Sequence, residues 1–252
     1  MELTDVRRLL TGQIDYYQAM AATGRFDRAY ARTGEYARES ATTEQWNAEL
    51  RSIEAALDRM SDVDLAVELA CGSGRWTPVI ARHARRVLAV DAAPHMLDIN
   101  RARTLCLNVE HVLGDAFTWA PDRPADLVVM CLWLSHVPPS LFDGFWSHVL
   151  SWMSPDSSVF VMDSLPHPDR VANDEAPPAS GSPVHVRSLP DGRRVSIPKV
   201  FYRQGELESR LDRLGFDVAL DWSGQFFFFG TLSRRCRVAE APTAQAQRVT
   251  GG

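Results

Sequence analysis

The chain has 252 residues, 45% of them hydrophobic, enough to bury one substantial core and better suited to one domain with an elaboration than to two full domains. Its formal charge of -5 supplies no basic footprint for nucleic acid, and no apolar stretch reads as a signal peptide or membrane span, so a soluble cytoplasmic protein is expected. Cys71, Cys106, Cys131 and Cys236 are scattered without a Cys-x-x-Cys pair, as in a reducing compartment, and His167, Asp169 and Asp163 make no spaced set of metal ligands.

Residues 1–60 are mostly helical in pattern. Val6, Leu9, Leu10, Ile14 and Tyr17 recur at helical spacing, and Trp46, Leu50, Ile53 and Leu57 repeat it, with a polar and aromatic stretch from Gly24 to Tyr30 between them. The segment reads either as a cap over a ligand site or as helices that cover a sheet face.

An apolar run from Leu65 to Ala70, with Glu68 inside it, then ends in Gly72-Ser73-Gly74 and passes into a helix expected from Trp76 to Ala84. Glycines without a Cβ let a ligand lie directly on the backbone, although such turns also occur for structural reasons alone. Spacing separates the two. A second strand, Arg86 to Val90, ends in Asp91, 19 residues after Gly72, where a carboxylate can accept both hydroxyls of a ribose. A dinucleotide site needs a third small residue where Thr77 stands, and a P-loop needs Gly-Lys-Ser/Thr after the turn, which is absent.

Further strands near 109–113, 126–131 and 157–163 alternate with helices, which implies a parallel sheet with helices on both faces. Glu68 to Gly74, Val90 to Leu97, Gly114 to Phe117 and Val128 to Pro138 resemble, in order, the four motifs of the class I S-adenosylmethionine-dependent methyltransferases. The resemblance implies an α/β fold with a seven-stranded Rossmann-like sheet, S-adenosyl-L-methionine as cofactor and S-adenosylhomocysteine as product. It implies a cofactor surrounded by Tyr17, Ala70, Gly72, Gly74, Trp76, Asp91, Ala92, Met96, Asp115, Ala116, Phe117 and Cys131, with Asp91 at the ribose and Asp115 at the adenine amino group.

Residues 164–201 are a segment this core does not require. Ser164 to Pro183 is rich in Pro, Ser and Asp and reads as a mobile loop, whereas Val184 to Leu189 and Arg193 to Phe201 read as an inserted β-hairpin around Pro190-Asp191-Gly192. Proline followed two residues later by glycine predicts a three-residue loop with a bulge, which sets Leu189 opposite Arg193 and Arg187 opposite Val195. By alternation His185, Arg187, Val195, Ile197 and Lys199 then share one face, and Lys199 is the only lysine of the chain. That face reads as an anion pocket for an acidic substrate or as a solvated surface.

Trp133 to Pro138, Phe142 to Trp146, Asp191-Gly192-Arg193 and Lys199-Val200-Phe201 also resemble small bacterial natural-product O-methyltransferases, especially the phosphonate-esterifying kind of dehydrophos biosynthesis. The likeness covers most of residues 10–232 and implies that Arg187, Lys199 and an N-terminal tyrosine, best matched by Tyr30, hold the acid. It departs at Tyr16 to Ala21, where two arginines of that family's pattern are missing.

Leu207 to Leu214 returns to a helical pattern, and Phe216 to Asp221 and Phe226 to Leu232 read as strands joined by a tight Ser223-Gly224 turn. The division expected is a helical cap over 1–60, a methyltransferase domain over 61–240 and a disordered tail over 241–252. An acid acceptor is already anionic near neutral pH and needs no base; an alcohol, phenol or amine would need one, and His136 is the candidate. His136 could equally serve only as a hydrogen-bonding group, and a non-catalytic S-adenosylmethionine-binding protein is the remaining alternative.

Overall fold

The computed structural model describes residues 3–24, 41–166 and 182–235; Tyr30, His167, Asp169, Cys236 and the tail over 241–252 lie outside them. The described strands are β1 (Val63–Leu69), β2 (Ala84–Asp91), β3 (Val109–Leu113), β4 (Ala125–Cys131), β5 (Met153–Ser164), β6 (Val184–Ser188), β7 (Arg194–Pro198), β8 (Phe216–Asp221) and β9 (Phe227–Arg234). Seven of them form one sheet in the order β3-β2-β1-β4-β5-β9-β8, and β6 pairs with β7 apart from it. β1 to β5 run parallel, while β9 lies antiparallel between β5 and β8. The order reverses between β1 and β4, leaving a crevice at their carboxyl ends.

The helices are α1 (Leu3–Ala22), α2 (Ala41–Leu57), α3 (Thr77–Ile80), α4 (Pro94–Arg103), α5 (Phe142–Ser151) and α6 (Gln204–Arg213). Near-continuous apolar runs in β1 and β4 bury both sheet faces, as central parallel strands do. On one face Phe142, Phe145, Trp146 and Val149 of α5 and Leu207 and Leu211 of α6 pack on Leu65, Val67 and Val128. On the other, Trp46, Ile53 and Leu57 of α2 pack on Ala66, Val87 and Leu127. The phenylalanine run serves both, with Phe228 on the first face and Phe226 and Phe227 on the second. Each fully buried side chain of this size contributes about 1.5–3 kcal/mol.

One expectation changes. The helix after the glycine turn stops at Ile80, because the Val63 N–H bonds to the His83 carbonyl at 2.8 Å and Val63 pairs with Ala84, drawing that stretch into the sheet. The two N-terminal helices differ in what they pack against. α2 covers a sheet face, whereas α1 lies against β7 and α4. Gly12 permits the contact with β7, since a Cβ there would meet the Ser196 carbonyl oxygen at 2.7 Å. Gln18 ties α1 to α4 by accepting the His95 N–H at 3.1 Å.

Candidate functional site

At the carboxyl edge of the sheet, β1 and β4 each run into a left-handed residue, Ala70 with φ 53° and Leu132 with φ 60°. Such a conformation costs a residue with a Cβ about 1–2 kcal/mol, so it marks a place where chain direction matters more than local stability. Gly72 and Gly74, at φ 53° and 83°, continue the turn without that cost. Asp91 at the end of β2 ties it down: Oδ2 accepts the Gly72 N–H and Oδ1 the Ala93 N–H, each at 2.8 Å. Burial raises its pKa, and these N–H groups oppose the rise.

Beneath the turn runs a buried polar chain. The Thr77 hydroxyl donates to Glu68 Oε2 at 2.6 Å and accepts from Asn100 Nδ2 at 3.0 Å. Asn100 Oδ1 accepts from Thr104 at 2.9 Å and from His111 Nε2 at 3.0 Å. A Cβ on Gly74 would stand 2.6 Å from that same Asn100 oxygen. Burial pushes Glu68 up to about 8, so it is protonated at neutral pH.

The residues expected around a cofactor converge on neighbouring strand ends. Ala70, Gly72, Gly74 and Trp76 lie after β1, Ala92 and Met96 follow Asp91, and Cys131 closes β4. Asp115, Ala116 and Phe117 follow β3; the Asp115 carboxylate accepts the Phe117 N–H at 2.9 Å, and the Phe117 ring lies 5.7 Å from Trp133. Glycine backbone beside two carboxylates fits a nucleoside, which offers hydroxyl and amino donors on a flat apolar ring.

The neighbouring half, over β4 and β5, is built from side chains. His136 ends a 3-10 turn (Leu134–His136); its Nδ1 donates to the Pro198 carbonyl at 2.8 Å, which leaves Nε2 to accept from the Tyr17 hydroxyl at 3.0 Å. Burial first, then Lys199, Arg187 and His185, hold its pKa well below 6.5, and the ring is neutral. Lys199 Nζ donates to Ser135 Oγ and Ser164 Oγ, both at 2.8 Å, and lies 3.9 Å from Asp163. Asp163 is fully buried; it accepts the Ser135 N–H at 2.7 Å and the Ser164 N–H at 2.6 Å.

The hairpin register is the expected one, with Arg187 opposite Val195 and His185 opposite Ile197. Gly192, at φ 86°, donates its N–H to the Leu189 carbonyl at 3.0 Å, as a three-residue bulged loop requires. The charged face is turned inward. Arg187 is buried with its guanidinium 5.7 Å from the Tyr16 ring, and His185 is buried 6.0 Å from Phe201. Lys199 follows β7, its N–H bonded to the Pro183 carbonyl at 2.8 Å. Tyr30 lies outside the described residues. Ser135, Ser164 and the network role of Asp163 were absent from the sequence reading, since nothing local to each announces them. Among the described residues no cluster of three or more metal-ligating side chains occurs, and no helix is long and apolar enough to cross a membrane.

Comparison with known proteins agrees with this architecture. A family model described as a methyltransferase domain matches residues 66–156. Over 64 residues the chain is 41% identical to a ribosomal RNA large subunit methyltransferase M of Azoarcus sp. (strain BH72), covering 25% of this chain and 16% of that protein. Over 66 residues it is 41% identical to a trans-aconitate 2-methyltransferase of Methylobacterium radiotolerans, covering 25% of each. These matches span a quarter or less of the relatives' lengths. Solved structures are similar over nearly the whole chain. A DhpI–SAH complex is 29% identical with a TM-score of 0.70, covering 92% of this chain and 99% of that one. A DhpI–SAM–HEP complex is 31% identical with a TM-score of 0.69, covering 89% and 97%.

Proposed function

The chain belongs to the class I S-adenosylmethionine-dependent methyltransferases, and from that premise we propose that it O-methylates the acid group of a small molecule, a phosphonate or a carboxylate, in natural-product biosynthesis. S-adenosyl-L-methionine supplies an activated methyl on a sulfonium and leaves as S-adenosylhomocysteine. The reading rests on one observation: Arg187 and Lys199 face inward beside a histidine that is neutral and already engaged.

In this reading Arg187 forks the non-reacting oxygens of the acid, and Lys199 adds a point charge moderated by Asp163. An acid anion carries its nucleophilic lone pair at neutral pH, so the chain's work is to align one oxygen with the methyl and keep water out. The helix α1 acts as the cap, with Tyr17 on the cofactor side, and Tyr30 is a third contact to the acid. The glycine turn, Asp91 and Asp115 receive the nucleoside. The protein works in the cytoplasm, consistent with the free thiols of Cys71, Cys106 and Cys131. A charge of -5 argues for a small acceptor over nucleic acid, despite the short match to a ribosomal RNA enzyme.

A second reading, methylation of an alcohol, phenol or amine, draws on the 3.0 Å bond between Tyr17 and His136, which could pass a proton from acceptor to imidazole. Calorimetry with the cofactor, then mass spectrometry for methyl gain on phosphonates, hydroxy acids and aromatic acids, separates enzyme from mere binder and acid from alcohol. With an acid acceptor, Arg187→Ala and Lys199→Ala should each lower kcat/KM about 100-fold at unchanged cofactor affinity. Full activity in both variants would end the acid reading.

A further inference from the structure

Arg75 stands in the turn between β1 and α3, and among the described residues no hydrogen bond or ion pair reaches it. Its Nε is buried without a partner, and its guanidinium carbon lies 5.1 Å from the centre of the Trp76 ring. A tryptophan face compensates a partly desolvated cation by about 0.5–2 kcal/mol but leaves the in-plane N–H groups unused. Six other arginines, Arg82, Arg86, Arg101, Arg193, Arg210 and Arg235, each meet a carboxylate.

The acids near the turn are already committed. Glu68 is protonated against Thr77, and both oxygens of Asp91 hold backbone N–H groups. Arg75 follows the carboxyl end of β1, which pairs with β4 at the point where the strand order reverses. Ligands of open α/β sheets bind at that reversal. A guanidinium with unmet N–H groups there is a receptor for a planar, bidentate anion.

We propose that Arg75 binds an acid group, carboxylate or phosphonate, in the crevice between β1 and β4. Two molecules can bring one. The amino-acid end of the cofactor carries a carboxylate, an assignment that needs only family membership; the acceptor carries its own acid, an assignment that rests on the function proposed above.

Calorimetry on the full chain separates them, comparing wild type with Arg75→Gln and Arg75→Lys. The probes are S-adenosylhomocysteine, 5′-methylthioadenosine, which lacks the amino-acid end, and methylphosphonate added in the presence of S-adenosylhomocysteine. A loss of about tenfold or more for S-adenosylhomocysteine in Arg75→Gln, with 5′-methylthioadenosine unchanged, assigns the cofactor carboxylate. Unchanged nucleosides with methylphosphonate weakened by about tenfold assign the acceptor. Arg75→Lys should recover part of either loss, since an ammonium keeps the charge and not the fork. Equal affinity of wild type and Arg75→Gln for every probe overturns the proposal. So does an equal loss for both nucleosides, which signals a damaged turn. Should wild type take up no methylphosphonate, the phosphonate form of the acid-acceptor reading fails while the two nucleosides still decide Arg75.

Discussion

The two halves of the carboxyl edge are made by opposite means. Over β1, β2 and β3 the site is mostly backbone, with left-handed turns and two carboxylates drawn from the short stretches 67–76, 90–97 and 114–117. Over β4 and β5 it is side chains imported from a distance: Lys199 meets serines 64 and 35 positions away, and Tyr17 meets a histidine 119 away. A ligand gripped by backbone asks only for a turn of the right shape. In the proposed reading, an acid of particular size and charge asks for cations placed individually, and an inserted hairpin supplies them without disturbing the turn.

One methyl group should break the first half. Gly74→Ala puts a Cβ 2.6 Å from Asn100 Oδ1 at φ 83°. It should abolish measurable cofactor binding in calorimetry and lower stability by about 2–4 kcal/mol in denaturant melts. Gly205→Ala, with nothing within 4 Å of the new Cβ, should do neither.

The halves should also answer pH in opposite directions. Glu68 is raised to about 8 from an ordinary 4.5, so the native chain holds a proton that the unfolded chain gives up; this stabilisation is complete below pH 4.5 and is lost as pH rises through 8. His136 is depressed below 6.5, so its neutral ring stabilises above that pH, and the contribution is lost as pH falls. Glu68→Gln keeps the shape without the titration, and its melting temperature should fall less steeply than wild type between about pH 6 and 8. Parallel curves would contradict the burial argument for Glu68. The smallest effect is expected at His136. With an acid acceptor, His136→Ala should cost less than about tenfold in kcat, with some loss of cofactor affinity through Tyr17. A drop of about 100-fold at unchanged cofactor affinity would instead identify a base.

The same contrast governs what could be read from the sequence. The turn at 67–76 and the loop at 189–193 were legible because their determinants are local: glycines at positive φ and a hydrogen bond from Gly192 back to Leu189. The strands were legible from their apolar runs, and the hairpin register followed from the loop. Inward orientation of Arg187 was not, because alternation says which residues share a face and leaves open what covers it. Here α1 does, through Tyr16. Nor was the Asp163–Ser135–Ser164 support of Lys199 legible, since each serine is unremarkable in its own neighbourhood and the ensemble exists only once β5, the 3-10 turn and the hairpin end have met. The early end of α3 was missed for a related reason: pairing of Val63 with Ala84 overrides the helical pattern around it.

The solitary lysine carries one more consequence, in the kinetics of chain cleavage. A lysine-specific protease has a single target bond here, between Lys199 and Val200. The Val200 N–H is bonded to the Ser135 carbonyl at 2.7 Å, and only 12% of the Lys199 side chain is exposed. Cutting therefore requires the segment to peel away from β4 and β5, and the rate at which two fragments accumulate measures how often this edge opens. Any small molecule that closes the edge will be seen as protection of that one bond.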